Sequence, residues 1–166
     1  MKTTITINPL DAASIEKAAR EIQEYADRVQ RRADELAKRL AEYGLQRIQI
    51  GYQAVEYYDE NPVSVTVEER GQGQYAVVAS GATLLILEFG SGVKYGAGHP
   101  QADEFGYGPG TYPGQTHVPD PGYWWYTGSD GKSHYSEGNA PSMVMYLTAR
   151  ELLLEVTRIA KEVFSS

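Results

Sequence analysis

The chain predicts an α+β domain: a long N-terminal helix and a C-terminal helix packed on a small antiparallel β-sheet, with a long Gly/Tyr/Pro/Trp-rich loop before the last helix. Three observations carry this. Apolar residues recur at helical spacing through the first third and again after Pro141. Short alternating β-branched runs fill the middle. Between residues 90 and 139 lie twelve of the seventeen glycines, all three histidines and both tryptophans. Helical and strand periodicities segregated along one chain indicate helices set against one face of an antiparallel sheet.

Thr3–Ile7 alternates polar and apolar residues and predicts a short strand, which Asn8-Pro9 stops. Asn8 then suits an N-cap and Pro9 a first helical position, with the Asp11 carboxylate favoured by the helix dipole. Ile15, Ile22, Val29, Leu36 and Tyr43 recur every seven residues, with Ala19, Ala26, Ala33 and Leu40 each four further on. This narrow, alanine-rich stripe requires close approach by whatever covers it. It fits a seam against the C-terminal helix, a face for oligomerisation, or both. A helix of roughly 33 residues extends about 50 Å, longer than a small domain is wide, so part of it is expected to meet a partner subunit. Gly44 and Gly51 predict a break after Tyr43, with 45–57 as a separate, kinked helical piece.

In the middle, Asp59-Glu-Asn-Pro62 reads as a turn. Val63, Val65 and Val67 alternate with polar residues as a strand, Gly71-Gln-Gly73 connects a hairpin, and 75–79 returns. The apolar run Leu84–Phe89 predicts a third strand of an antiparallel meander. Beyond it, Gly122-Tyr-Trp-Trp-Tyr126 and the Gly128-Ser-Asp-Gly131 turn predict a small aromatic hairpin through His134-Tyr135. Pro141 near the first turn, Ser142 or Asn139 as caps, and the apolar series Met143, Leu147, Leu154, Val156, Ile159, Val163 define the last helix. The expected organisation is one domain, 1–166: helical region 8–57, antiparallel strands 63–89, extended arm with hairpin 90–140, and C-terminal helix 141–164.

Composition narrows function. A formal charge of -7 disfavours a phosphate-binding surface, which needs clustered Lys and Arg. Without cysteine there are no disulfides and no thiolate metal sites. The start shows no signal-peptide apolar run and no stretch is long enough to span a bilayer, so synthesis in the cytoplasm and no membrane partner are expected.

Residue types that could carry chemistry are present, but their patterns fit no catalytic or metal motif. His99, His117 and His134 with Asp103, Glu104, Asp120 and Asp130 are ordinary metal-ligand types, but their spacing matches no metal motif. Ser91 lies between glycines outside any Gly-x-Ser-x-Gly elbow. Glu56, Glu60, Glu68, Glu69 and Glu88 are enough carboxylates for a glycosidase pair, yet their number alone says nothing. Gly90-Ser-Gly-Val-Lys94 lacks the phosphate-loop pattern, and turn geometry explains its glycines better. Glu88, at the end of an apolar run, is expected either to be solvated or to hold the following Gly-Ser-Gly turn through backbone N–H groups. No catalytic residue, cofactor or metal is expected.

The order of long helix, paired strands with Val-Glu-Glu-Arg-Gly, Leu-Glu-Phe-Gly-Ser-Gly, Gly-Tyr-Pro loop with Trp-Trp-Tyr, and Asn-Ala-Pro-Ser-Met-Val-Met-Tyr leading into a helix carries a family resemblance. It resembles the small head-tail joining proteins, also described as tail-completion, neck or minor tail proteins, of long-tailed bacteriophages and their prophages. The likeness runs from about Ile15 to Phe164, and its distinctive part is two short motifs. The family's strand commonly ends Glu-Phe-Gly-Thr-Gly where this chain has Ser91, and its Pro-to-Met/Phe opening of the last helix corresponds here to Pro141 with Met143 and Met145.

The resemblance implies a non-enzymatic virion protein, a homo-oligomeric ring commonly of six subunits. Its expected partners are the portal-side head adaptor and the tail-tube or tail-terminator proteins, with DNA only as passing genome. Residues expected at subunit interfaces are Glu88, Phe89, Gly90, Tyr95, Tyr107, Tyr112, Tyr123, Trp124, Trp125, Tyr126 and Tyr135. The alternative is a module whose aromatic loop stacks on carbohydrate or peptide.

Overall fold

A computed structural model describes residues 4–55, 63–95, 98–108, 123–128 and 130–165. The elements are α1 (Ala12–Gln53), β1 (Ser64–Gly71), β2 (Gln74–Ser80), α2 (Leu84–Phe89), α3 (Gly92–Tyr95), a 3-10 turn at Asp103–Phe105, β3 (Trp124–Thr127), β4 (Ser133–Ser136) and α4 (Val144–Ser165). The α+β architecture is as the sequence predicts: two long helices and a small antiparallel sheet.

α1 starts later than expected. Its N-cap is Asp11, whose side chain accepts from the Ala13 N–H. Asn8 instead accepts from the Leu10 N–H and, with Pro9, shapes the turn before the helix. Residues 4–7 form no strand. Nor does the helix break at Gly44, running unbroken to Gln53. The reason is packing. A Cβ on Gly51 would lie 2.5 Å from Val144 Cγ1, and one on Gly44 would lie 3.3 Å from Val77 Cγ2 and 3.4 Å from Leu152 Cδ1. The glycines bring α4 and β2 close to the helix backbone, and that contact offsets a propensity cost of about 1 kcal/mol each.

The buried face of α1 differs from the heptad stripe. Ala41, Gly44, Ile48 and Tyr52 are buried, whereas Ile15, Ala19, Ile22, Ala26 and Ala33 are exposed. The first half of the stripe is exposed because α4 reaches only to the level of Arg32. In the covered half, a straight helix drifts by about 20° per heptad against a seven-residue repeat, which moves the buried line off the stripe onto Ala41, Gly44, Ile48 and Tyr52.

β1 and β2 pair antiparallel from Ser64↔Ser80 to Gly71↔Gln74, with an irregularity between Glu69 and Gly71. The predicted third strand is absent: Leu84–Phe89 is a helix, α2. A short apolar run has no period that separates a strand from a buried helical turn, and here tertiary hydrogen bonds decide. The main core joins Ile48 and Tyr52 of α1, Val65 of β1, Leu87 of α2 and Val144 of α4. A satellite cluster holds Phe89, Ala102 and Tyr107.

α4 lies antiparallel on α1. Val144 meets Gly51 at one end, Glu151 binds Tyr43 and Arg47 midway, and Arg32 Nη1 donates to the Val163 carbonyl at the other. The β1–β2 turn also reaches this level, with Gly73 beside Asp34. At 1.5 Å per residue α1 is about 63 Å long and α4 about 33 Å. Some twenty residues of α1 therefore run on beyond the end of α4.

Candidate functional site

The two motifs that carry the family resemblance meet in space. Ser91 and Asn139 exchange backbone hydrogen bonds, Ser91 N to Asn139 O at 2.9 Å and Asn139 N to Ser91 O at 3.2 Å. Leu87 O accepts from both the N–H and the hydroxyl of Ser142, at 2.7 and 2.8 Å. This pairing explains the glycines. Gly90 has φ +78°, and a Cβ there would press on Asn139 O and Pro141; Gly138 has φ +104° and lies against the Ser91 carbonyl.

Glu88 closes the joint. It is 5% exposed, and its carboxylate accepts from the Met145 N–H (3.0 Å), the Tyr146 N–H (2.9 Å) and the Tyr52 hydroxyl (2.8 Å). The two amides belong to the first turn of α4, where donors have no partner within the helix. A carboxylate there meets both orphan donors and the positive end of the helix dipole. Glu88 is thus an N-cap supplied from 57 residues away, neither solvated nor holding the Gly-Ser-Gly turn as the sequence suggested. The expected caps serve differently: Ser142 binds Leu87 O and Asn139 pairs with Ser91. Met143, immediately before α4, sits at φ +54°, which is strained for a residue with a Cβ. Burial, reinforced by the Glu88 charge and hydrogen bond, pushes the Tyr52 phenol far above its usual value and keeps it neutral.

His99, 4% exposed, lies against this joint. Its Nε2 is 3.5 Å from Glu88 Oε1, and its ring packs on Phe89 at 4.4 Å and edge-on to Tyr146 at 5.2 Å. Phe89 in turn stacks on Tyr107 at 4.3 Å. In the sequence His99 is an ordinary metal-ligand type without motif spacing, and nothing there signals that it meets Glu88. Their separation along the chain hides the pairing.

Of the residues expected at interfaces, Glu88, Phe89, Gly90 and Tyr107 are therefore interior, and a side chain so buried is not available to a neighbour. Burial follows from α2 turning the Glu-Phe-Gly end inward instead of projecting it as a strand end. Tyr95 is half-buried at the end of α3, beneath the Lys94 ammonium. The aromatic hairpin forms as predicted, with Trp124↔Ser136, Trp125↔Tyr135 and Tyr126↔His134 in register. Tyr123, Trp125 and Tyr135 are 40, 65 and 50% exposed, and Tyr135 packs beside both others, its ring centred 5.2 Å from Tyr123 and 5.6 Å from Trp125. The side chains of Trp124 and Tyr126, and all of Tyr112, lie outside what is described.

His134 and Asp130 pair at 2.9 Å on the hairpin's exposed turn, and the hydrogen bond to His134, followed by the one the carboxylate accepts from the Lys132 N–H, holds the Asp130 carboxyl below its usual value. Asp103 and Glu104 open the 3-10 turn, where Glu104 accepts from Gln101. Among the described residues no three His, Asp or Glu side chains gather as a metal site; His117, Asp120, Glu56 and Glu60 lie outside them. Among the same residues no helix is long and apolar enough to cross a membrane.

Comparison with protein-family models, with curated proteins and with solved structures finds no match.

Proposed function

We propose that the chain is the subunit of a head-to-tail ring at the head-tail junction of a tailed bacteriophage, where it completes the tail or joins it to the head. The observation that carries this reading is the placement of two unlike apolar surfaces at opposite ends of one body. At one end, past the Arg32–Val163 contact, the first half of α1 stands mostly exposed, with Ile15 and Ile22 about half exposed, and Leu10, just before the helix, is 95% exposed. At the other end, rooted where Asn139 pairs with Ser91, stands the hairpin with Trp125 and Tyr135 outward. Surfaces that differ from each other make heterologous contacts, and such contacts close into rings when the rotation allows. Exposed aromatics are the usual anchors of such contacts. The acidic balance of -7 suits a channel wall that does not hold passing DNA.

The partners on this reading are further copies of the chain, the portal-side head adaptor and the tail-tube or terminator protein. Electron microscopy of purified protein, alone and mixed with isolated tails or filled heads, tests it: rings alone or at the junction are expected. A strict monomer that leaves heads and tails unjoined overturns it.

A second reading has its own observation. The contiguous Tyr123, Tyr135 and Trp125 rings form an exposed platform of the kind on which sugars or peptides stack. Saccharide affinity in a monomer at every concentration would favour it.

A further inference from the structure

Between the C-terminal end of α1, β2, α2, the loop through the 3-10 turn and α4 lies a cavity of about 500 Å³, within the range of small-molecule sites. Its walls are mostly apolar, among them Leu84, Leu85, Phe105 and Ala149, and its polar groups include Glu88 and His99.

The state of His99 defines what fits. Nδ1 accepts the Gln101 N–H at 3.1 Å, so in the neutral ring the proton sits on Nε2. The side chain is 2% exposed, and Nε2 has no hydrogen-bond partner; Glu88 Oε1 stands off at 3.5 Å. Glu88 Oε2 already accepts two bonds and Oε1 one, which leaves Oε1 capacity for another donor. A ligand at this point must offer an acceptor to Nε2–H while tolerating a carboxylate beside it. An anion is repelled by Glu88, and an ammonium presents no acceptor. A hydroxyl satisfies both sides, accepting from Nε2 and donating to Oε1.

We infer that this cavity is a binding site for a phenol-class molecule, a flat apolar ring bearing a single hydroxyl that bridges His99 Nε2 and Glu88 Oε1. The site lies within one subunit body and does not depend on ring assembly.

The test is an amide chemical-shift titration of the full chain with p-cresol and, in parallel, with toluene, which has the same ring and methyl group without the hydroxyl. Saturable shifts around α2, His99 and the first turns of α4 are expected, with p-cresol bound roughly tenfold or more tightly than toluene. His99→Phe keeps an aromatic ring against Phe89 but removes the donor, and weakens p-cresol severalfold toward the toluene level, the hydroxyl keeping only its bond to Glu88 Oε1, while toluene is unchanged. Ala149→Phe, at an exposed position on the rim, weakens both. Equal affinity for the two compounds in the unaltered protein, shifts that map elsewhere, or no saturable shift would overturn the inference. So would p-cresol binding untouched by His99→Phe. If that variant does not fold, the comparison of p-cresol with toluene on the unaltered protein still decides.

Discussion

The two halves of α1 are built from the same material and do different things. From Ile15 to Ala33 small and branched residues recur at heptad spacing, yet this half stands mostly in solvent, Ala18 alone being buried. From Leu36 to Tyr52 an equally apolar face is covered by α4 and the β1–β2 hairpin. Local propensity does not distinguish them. The difference lies in what packs on each half: among the described residues, α4 meets α1 from Gly51 to Arg32. A stripe of this kind therefore marks a surface that accepts a helix and leaves open which helix covers it.

The sharpest way to break the packed half is at its joint. Glu88→Ala strands two amide donors of α4 and the Tyr52 hydroxyl in the core, and is expected to destabilise by on the order of 3 kcal/mol or more. Thermal unfolding followed by circular dichroism measures it, and Glu88→Gln, which retains an acceptor, should lose less.

Tyr52→Phe removes one of those hydrogen bonds and is expected to cost about 1–2 kcal/mol near neutrality. It also probes pH. A phenol whose folded pKa is raised contributes stability that is fully present below its ordinary value of 10.0 and is lost as pH rises above it. The unaltered protein should lose stability above that pH, and the Phe variant should show a flatter alkaline limb in denaturant titrations.

The two helix glycines separate close contact from propensity. Gly51→Ala drives a methyl into Val144, and overpacking of about 1–3 kcal/mol outweighs the gain in helix propensity. At Gly44 the neighbours lie at 3.3 and 3.4 Å, so a small adjustment of Val77 suffices and Gly44→Ala should be near neutral. Melting temperatures of the pair reveal the asymmetry.

On the free half, Ile15→Ser with Ile22→Ser should change monomer stability by less than about 0.5 kcal/mol per site. On the ring reading the same pair abolishes assembly, and so does Trp125→Ala at the other end. Unfolding curves together with light scattering separate the two effects. Loss of stability without loss of assembly would mean that the halves of α1 had been assigned the wrong way round.

Acid offers the mildest probe. The Tyr43 hydrogen bond, aided by Arg47, lowers the Glu151 pKa. Its contribution is present above the ordinary value of 4.5 and fades as pH falls through the lowered folded value, so Glu151→Gln should slightly flatten the acid limb of the stability profile.

The long helices, the β1–β2 hairpin and the aromatic hairpin were legible because periods of 3.6 and 2 and paired turn glycines are local signals. Leu84–Phe89 was not, since a six-residue apolar run satisfies strand and buried helix equally. Nor was the role of Glu88 or its meeting with His99: one carboxylate among many carries no mark that amides 57 residues later will need it.

By itself, then, the sequence determined that there would be two amphipathic helices, a small antiparallel sheet and an outward aromatic hairpin, because each depends on residues close along the chain. Only the tertiary structure decided that Glu-Phe-Gly turns inward as a helix end, that Glu88 caps α4, and that the first half of α1 stands mostly exposed. Those outcomes rest on groups brought together by folding, where the need to pair a buried amide or carboxylate outweighs local preference.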